Sequence, residues 1–376
     1  MKNRICFIET IEIFSSFLTF FCHRIVFFTN IVTSIPQINN IMNRKDFFCK
    51  TLAGAAAIAI PGVLSNEAMA SDLVNPKSAY GKPLPLSCLS YSFNVLVSQG
   101  MMDIFGYFET CRYRYGLNAA DLWVGMITDP DNEAYIDKVH RALRERQLVV
   151  PNIACDGAHL IEPANRDTPE SRAHLRTIQD RYMQICKKWG VGFLRLDAGP
   201  MPGNGTPTDT TTPWKEEEFD YLVKRYRELA QFAYDNGFTV GAENHMGQEK
   251  YWPNMEKLIK AIDHPGFGIC VHFGGWTAKS PETALQDNIA ADKAAAKWIR
   301  HTHIPWDTCI DPVMLTERMN ILRDAEYPGY YSIEHHSGQN EYALVGVQLD
   351  LVKGVLTAWD NGGTGQLIPP RQPRNN

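Results

Sequence analysis

Residues 238–246 read FTVGAENHM, and the fold turns on how this stretch is understood. It alternates mostly apolar residues and then ends in a carboxylate, an amide and an imidazole. That is the pattern of a buried strand whose C-terminal end opens onto something polar. Glu243 and His245 are two apart, so on a strand both side chains share one face. Three later stretches repeat the design. Residues 267–276 carry His272, residues 298–306 carry His301 and His303, and residues 330–337 carry Glu334, His335 and His336. A helical segment separates each from the next. Four successive apolar runs ending in Glu or His are how a parallel barrel collects the ligands of one metal at the C-terminal ends of its strands.

Upstream, the same alternation of strand and helix continues. Strands are expected at 84–93 (LPLSCLSYSF), 117–124, 148–156 and 192–199 (GFLRLDAG), the last ending in Asp197. Helices are expected at 101–115, 132–146, 169–189 and 216–236, then at 254–262, 281–296, 313–324 and 342–360. Gly237 stops the fourth of these. Residues 201–213, rich in Gly, Pro and Thr, form a loop where barrel enzymes place substrate-covering segments. Eight strand–helix units at roughly thirty residues each predict a single-domain α/β (β/α)8 TIM barrel. The competing fold, an open doubly wound sheet, lacks support because no Gly-rich phosphate loop follows the first strand.

The first 71 residues stand apart from this pattern. Residues 42–71 have a charged start with Arg44 and Lys45, an Ala-rich apolar stretch, and Ala68-Met69-Ala70 before Ser71. They resemble a twin-arginine export signal, with Arg-Lys in place of Arg-Arg. Residues 1–41, with a Phe- and Ile-rich run at 11–35 broken by His23 and Arg24, read either as a membrane anchor or, as favoured by the complete signal that follows, as an extension before a true start at Met42. The expected organisation is therefore an N-terminal extension and signal, 1–71, then the barrel, 72–376. The mature protein is expected to be periplasmic, with no stable membrane insertion after processing. The net charge of -5 offers no basic footprint for nucleic acid. Cys88, Cys111, Cys155, Cys186, Cys270 and Cys309 show no metal-type pairing and read as buried free thiols.

At the strand ends, Glu243, His272, His303 and Glu334 offer two carboxylates and two imidazoles. This mix suits one divalent Mn, Co, Zn, Fe or Ni ion better than Ca or Mg. His301 shares a face with His303 but lies one layer deeper. His335 should point away from the barrel axis, and His336 should reach the rim. Asp197 and Asp156 also end strands, where Asp is common turn chemistry, and Asp121 ends the second strand.

The segments Ala242-Glu243-Asn244-His245, His301-Thr302-His303 and Ser332-Ile333-Glu334 resemble the xylose-isomerase-like TIM barrels, a family of sugar isomerases, epimerases and dehydratases. The resemblance spans about residues 84–360. It implies a metal held by Glu on strand five, Asp on strand six, His on strand seven and Glu on strand eight. Glu243, His303 and Glu334 match three of these positions. The fourth falls on His272, which leaves two anionic ligands and so a formally neutralised, more Lewis-acidic ion. It also leaves open that His272 acts on substrate.

The resemblance further implies proton abstraction beside a carbonyl, through an enediolate, with Glu243 and Glu334 as the acid/base pair and His245 assisting. Asp197, His336, Trp276 and His159 are expected to contact a carbohydrate substrate. Export argues for a non-phosphorylated keto sugar, and no phosphate-gripping loop is evident. The same abstraction beside a 3-keto group can expel a glycosidic oxygen, so a lyase acting on 3-keto glycosides is the alternative. A non-catalytic sugar-binding barrel and an endonuclease IV-like phosphodiesterase are readings from other classes. The phosphodiesterase is disfavoured by the acidic chain and the sparse ligands on the first three strands. A homo-oligomer is compatible with all of these.

Overall fold

A computed structural model describes residues 83–163, 166–199 and 209–365. All of them lie in the compact unit Glu67–Asn376. The expected export signal and most of the loop at 201–213 fall outside the described residues. Among the described residues, no helix is long and apolar enough to cross a membrane.

Eight parallel strands form one sheet: β1 (Leu86–Cys88), β2 (Leu122–Trp123), β3 (Asn152–Ala154), β4 (Phe193–Arg195), β5 (Thr239–Glu243), β6 (Phe267–His272), β7 (Ile299–Pro305) and β8 (Tyr331–Glu334). The order β1-β8-β7-β6-β5-β4-β3-β2 follows the chain round a circle. A single parallel bridge, Leu89 to Asp121, joins β1 to β2 and completes the barrel. The seam is reinforced by Ser90 N–H donating to Asp121 O at 2.9 Å. The buried Tyr107 hydroxyl sits 2.5 Å from Cys88 O and 2.7 Å from Asp121 O, bridging both strands. The first four strands are shorter than their sequence patterns. The 84–93 stretch becomes β1 followed by a 3-10 turn at Ser90–Phe93, because past the seam its backbone bonds go to β2 and to its own turn.

The outer ring holds α1 (Ile104–Glu109), α2 (Glu133–Glu145), α3 (Pro169–Trp189), α4 (Glu216–Asp235), α5 (Trp252–Ile262), α6 (Ala284–Ala295), α7 (Pro312–Asp324) and α8 (Glu341–Asp360). Local chemistry sets their ends. Thr168 and Ser171 cap the start of α3 reciprocally, and Gly190 ends it at φ 69°, a conformation glycine adopts without strain. Asn132 and Asp311 accept backbone N–H groups at the starts of α2 and α7. The six cysteines of the barrel are all buried free thiols.

Candidate metal centre at the strand ends

Inside the barrel, polar side chains lie in two tiers. The lower one centres on Asp121, which is fully buried. Its Oδ2 lies 2.6 Å from His301 Nε2 and accepts from Ser332 Oγ at 2.6 Å, while its Oδ1 accepts from Asn152 Nδ2 at 2.9 Å. Burial works against the Asp121 anion, but His301 and His303 outweigh it and hold the carboxyl well below its ordinary value. Phe193 stacks on His301 at 6.4 Å. His301 therefore does sit one layer deeper, where Asp121 holds its Nε2.

The upper tier lies at the carboxyl ends of β5 to β8. Glu243, His272, His303 and Glu334 each aim one donor atom into a common space, all within 4.8 Å of one another. His303 Nδ1 is 2.7 Å from Glu243 Oε1 and 3.8 Å from Glu334 Oε2. His272 Nδ1 is 3.6 Å from Glu243 Oε1 and 3.2 Å from Glu334 Oε2, yet it makes no properly directed hydrogen bond to either. Asn244 fixes His272 by accepting its backbone N–H at 2.6 Å and donating to its carbonyl at 3.0 Å.

The electrostatics of this tier favour positive charge. Burial alone would raise both glutamates, but for Glu243 the charges of His303 and Arg195 win, and for Glu334 those of His303 and His272. Both carboxyls are held well below their usual range. Burial disfavours a charged His272, but the two carboxylates push it up to about 9. Imidazole protons on His272 and His303 balance the two carboxylates. An ion binding here would displace them. Two carboxylates, two imidazoles and an unpartnered buried nitrogen fit a divalent transition ion, and Glu243, His272, His303 and Glu334 would hold it. Cys270 adds a buried thiol 3.6 Å from His303 Nδ1.

A third group, Asp156, Asp197 and His245, also clusters within 4.8 Å. Here Arg195 already supplies the positive charge. Its Nη1 donates to Glu243 Oε2 at 2.5 Å and lies 3.1 Å from His245 Nδ1, while Nη2 is paired with Asp156. Asp197 Oδ1 accepts the Glu243 backbone N–H at 3.3 Å, and its Oδ2 is 3.5 Å from His245 Nδ1. His245 is stacked on His272 with ring centroids 6.5 Å apart. At the rim, His336 is half exposed and its Nε2 is 2.9 Å from Glu334 Oε1. Tyr91 lies against both His336 and Trp123.

Two predicted substrate contacts are placed elsewhere. Trp276 is 4% exposed, and its Nε1 donates to Asp292 Oδ1 at 2.9 Å, so its one polar group is taken up by α6 behind the β6–α6 connection. This corrects the expectation that Trp276 faces a substrate. His159 Nε2 faces Glu162 Oε2 at 3.5 Å, and its backbone carbonyl is held by Gln179. Neither contact links it to the upper tier. His335 does point away from the axis, packing on Trp306 with Nε2 2.6 Å from Ser337 Oγ.

The sequence reading missed Arg195 and Glu249. Arg195 could have been found from parity, since Phe193, Arg195 and Asp197 share the inward face of β4. Glu249 is buried, accepts the Ala198 N–H at 2.5 Å through Oε1, and has no partner for Oε2. Burial, aided by Asp197, holds its carboxyl well above the usual range. Nothing in its turn-like sequence context signals this.

The model of the xylose isomerase-like TIM barrel family matches residues 113–352. No curated protein matches the chain by sequence. Among solved structures, the chain resembles the 3-keto-D-glucoside 4-epimerase YcjR from E. coli at 15% identity and a TM-score of 0.54, covering 72% of this chain and 99% of that one. It resembles the probable 3-DHS dehydratase AsbF from Bacillus anthracis at 13% identity and 0.52, covering 71% and 98%. It also resembles the IolI protein, whose structure holds a zinc atom, at 13% identity and 0.52, covering 73% and 98%. At such identities the likeness is one of fold.

Proposed function

The chain belongs to the xylose isomerase-like TIM barrel family, and from that premise we propose that it is a metal-dependent sugar isomerase or epimerase acting on a non-phosphorylated keto sugar. The observation that carries the reading is the convergence of Glu243, His272, His303 and Glu334 from four adjacent strands on one space. A divalent ion held by these residues would polarise a substrate carbonyl and ease loss of the proton beside it. The chain's own groups supply the rest. Glu334 turns Oε2 into the cluster and Oε1 toward His336 at the rim, which places it to take or return a proton at a substrate carbon. Glu243 turns Oε1 into the cluster toward His303. His245 and Asp197 stand together beside it, able to orient hydroxyl groups. Tyr91 and Trp123, both partly exposed, offer a ring wall for a sugar face. The choice of a free sugar over a sugar phosphate rests on the expected export signal.

A lyase acting on 3-keto glycosides is the second reading, and one observation favours it. Glu243 and Glu334 are not equivalent, since Arg195 occupies one oxygen of Glu243. Epimerisation draws on both faces of the substrate, whereas elimination needs one proton acceptor.

The test is metal analysis of the purified protein beside Glu334→Gln, followed by incubation with D-fructose and with methyl 3-keto-glucoside in D2O. About one transition ion per chain, diminished in the variant, and deuterium entering the carbon beside the carbonyl are expected. Release of methanol from the glucoside would select the lyase. Absence of metal after reloading would overturn both readings and leave a sugar-binding barrel.

A further inference from the structure

We propose that Arg195 is a positioning residue that restricts Glu243 to a single oxygen toward the ion bound among Glu243, His272, His303 and Glu334. The inference rests on the metal reading above and concerns how that ion is held.

A glutamate can bind a divalent cation through one oxygen or through both. Which it does depends on what else claims its second oxygen. Glu243 Oε1 points into the cluster, 2.7 Å from His303 Nδ1. Its Oε2 points away and accepts from Arg195 Nη1 at 2.5 Å. The Arg195 side chain is 4% exposed and springs from β4, so it cannot swing into solvent. Its other arm, Nη2, is anchored on Asp156, and Asp197 Oδ2 lies 3.9 Å from Nη1. Turning Glu243 to present both oxygens would strip a buried guanidinium of a charge-assisted bond and leave its charge short of a partner.

The other carboxylate is held differently. Glu334 Oε1 meets His336, whose side chain is 48% exposed and free to turn outward. Glu334 can therefore offer one oxygen or two, while Glu243 offers one. The sequence position of Arg195 explains the geometry. It lies on the strand beside β5, and its planar fork spans Asp156 after β3 and Glu243 on β5, a bridge a lysine cannot make. The consequence is that one coordination position which a two-oxygen glutamate would fill stays free of protein donors.

The test uses Co2+ as a visible probe. The purified protein, Arg195→Met and Arg195→Lys are stripped, loaded with Co2+, and compared by absorption spectroscopy and metal content. In Arg195→Met, Glu243 gains the freedom to close on the ion with both oxygens, so the visible bands are expected to lose intensity several-fold as coordination number rises. Arg195→Lys, which keeps the charge but loses the fork, is expected to fall between. A wild-type band in Co2+-loaded Arg195→Met would overturn the proposal and reduce Arg195 to charge compensation. If Arg195→Met does not fold, Arg195→Lys decides: partial loss supports the proposal, and an unchanged band overturns it. Failure of the wild type to take Co2+ is a separate outcome, and it would remove the metal reading itself.

Discussion

Replacing Asp121 with Asn should destabilise the barrel by about 3 kcal/mol, and the figure follows from its contacts. Asp121 accepts from His301, Ser332 and Asn152. Bonds to a charged acceptor contribute about 1.5–3 kcal/mol and neutral ones about 0.5–1.5 kcal/mol, so losing the charge costs about 1 kcal/mol per bond. Geometry allows all three bonds to survive. The new amide nitrogen can take the place of Oδ1, and Asn152 can flip to present its Oδ1, which has no partner in the wild type. The remaining oxygen then still serves His301 and Ser332. If the flip is blocked, a buried donor faces a donor and the loss grows by about 1–3 kcal/mol. Against a total stability of about 5–15 kcal/mol, either loss is large. Urea unfolding in the presence of a chelator measures it, with an unchanged slope and a midpoint about 1 M lower if the slope is near 3 kcal/mol/M. A loss under about 1 kcal/mol would refute the argument, because it would mean that Asp121 is not the ionised hub of the lower tier.

Three further outcomes are expected. His272→Asp adds a third anionic oxygen ligand, so the protein should retain its metal but shift its loading ratio toward Mn2+ over Zn2+ in a competition assay; an unchanged ratio would argue that His272 is not a ligand. Trp276→Phe should cost about 1–3 kcal/mol by leaving Asp292 short of one donor, with metal content unaltered, and metal loss would show that the β6–α6 connection matters more to the centre than its contacts imply. Burial pushes the Cys111 and Cys309 thiols up to about 12, so at pH 8 only about one in ten thousand is thiolate. Native protein should leave both unreacted with a thiol reagent, with reaction following denaturation; rapid native reaction at pH 8 would contradict their burial.

What the sequence determined by itself was periodicity and its punctuation. Eight alternations of strand and helix are local signals, written in residue spacing and caps, and eight is the number of units at which a parallel barrel closes. The same spacing put Glu243, His272, His303 and Glu334 at strand ends, because the two-residue period of a strand decides which side chains face inward before any packing is known. Packing decided everything that depends on distance across the barrel. Trp276 looked like a ring for a substrate, yet the angle of the β6–α6 connection turned it onto Asp292. Arg195 carried no signal of its role within its own strand, yet closure brought its guanidinium between Asp156 and Glu243, residues 39 and 48 positions away. Asp121 stood at the end of a strand with no partner in its own stretch, yet closure at the seam between β1 and β2 buried it against His301. Charges far apart in sequence find partners only when the sheet closes, since Coulombic and hydrogen-bond energies depend on separation in space and not along the chain.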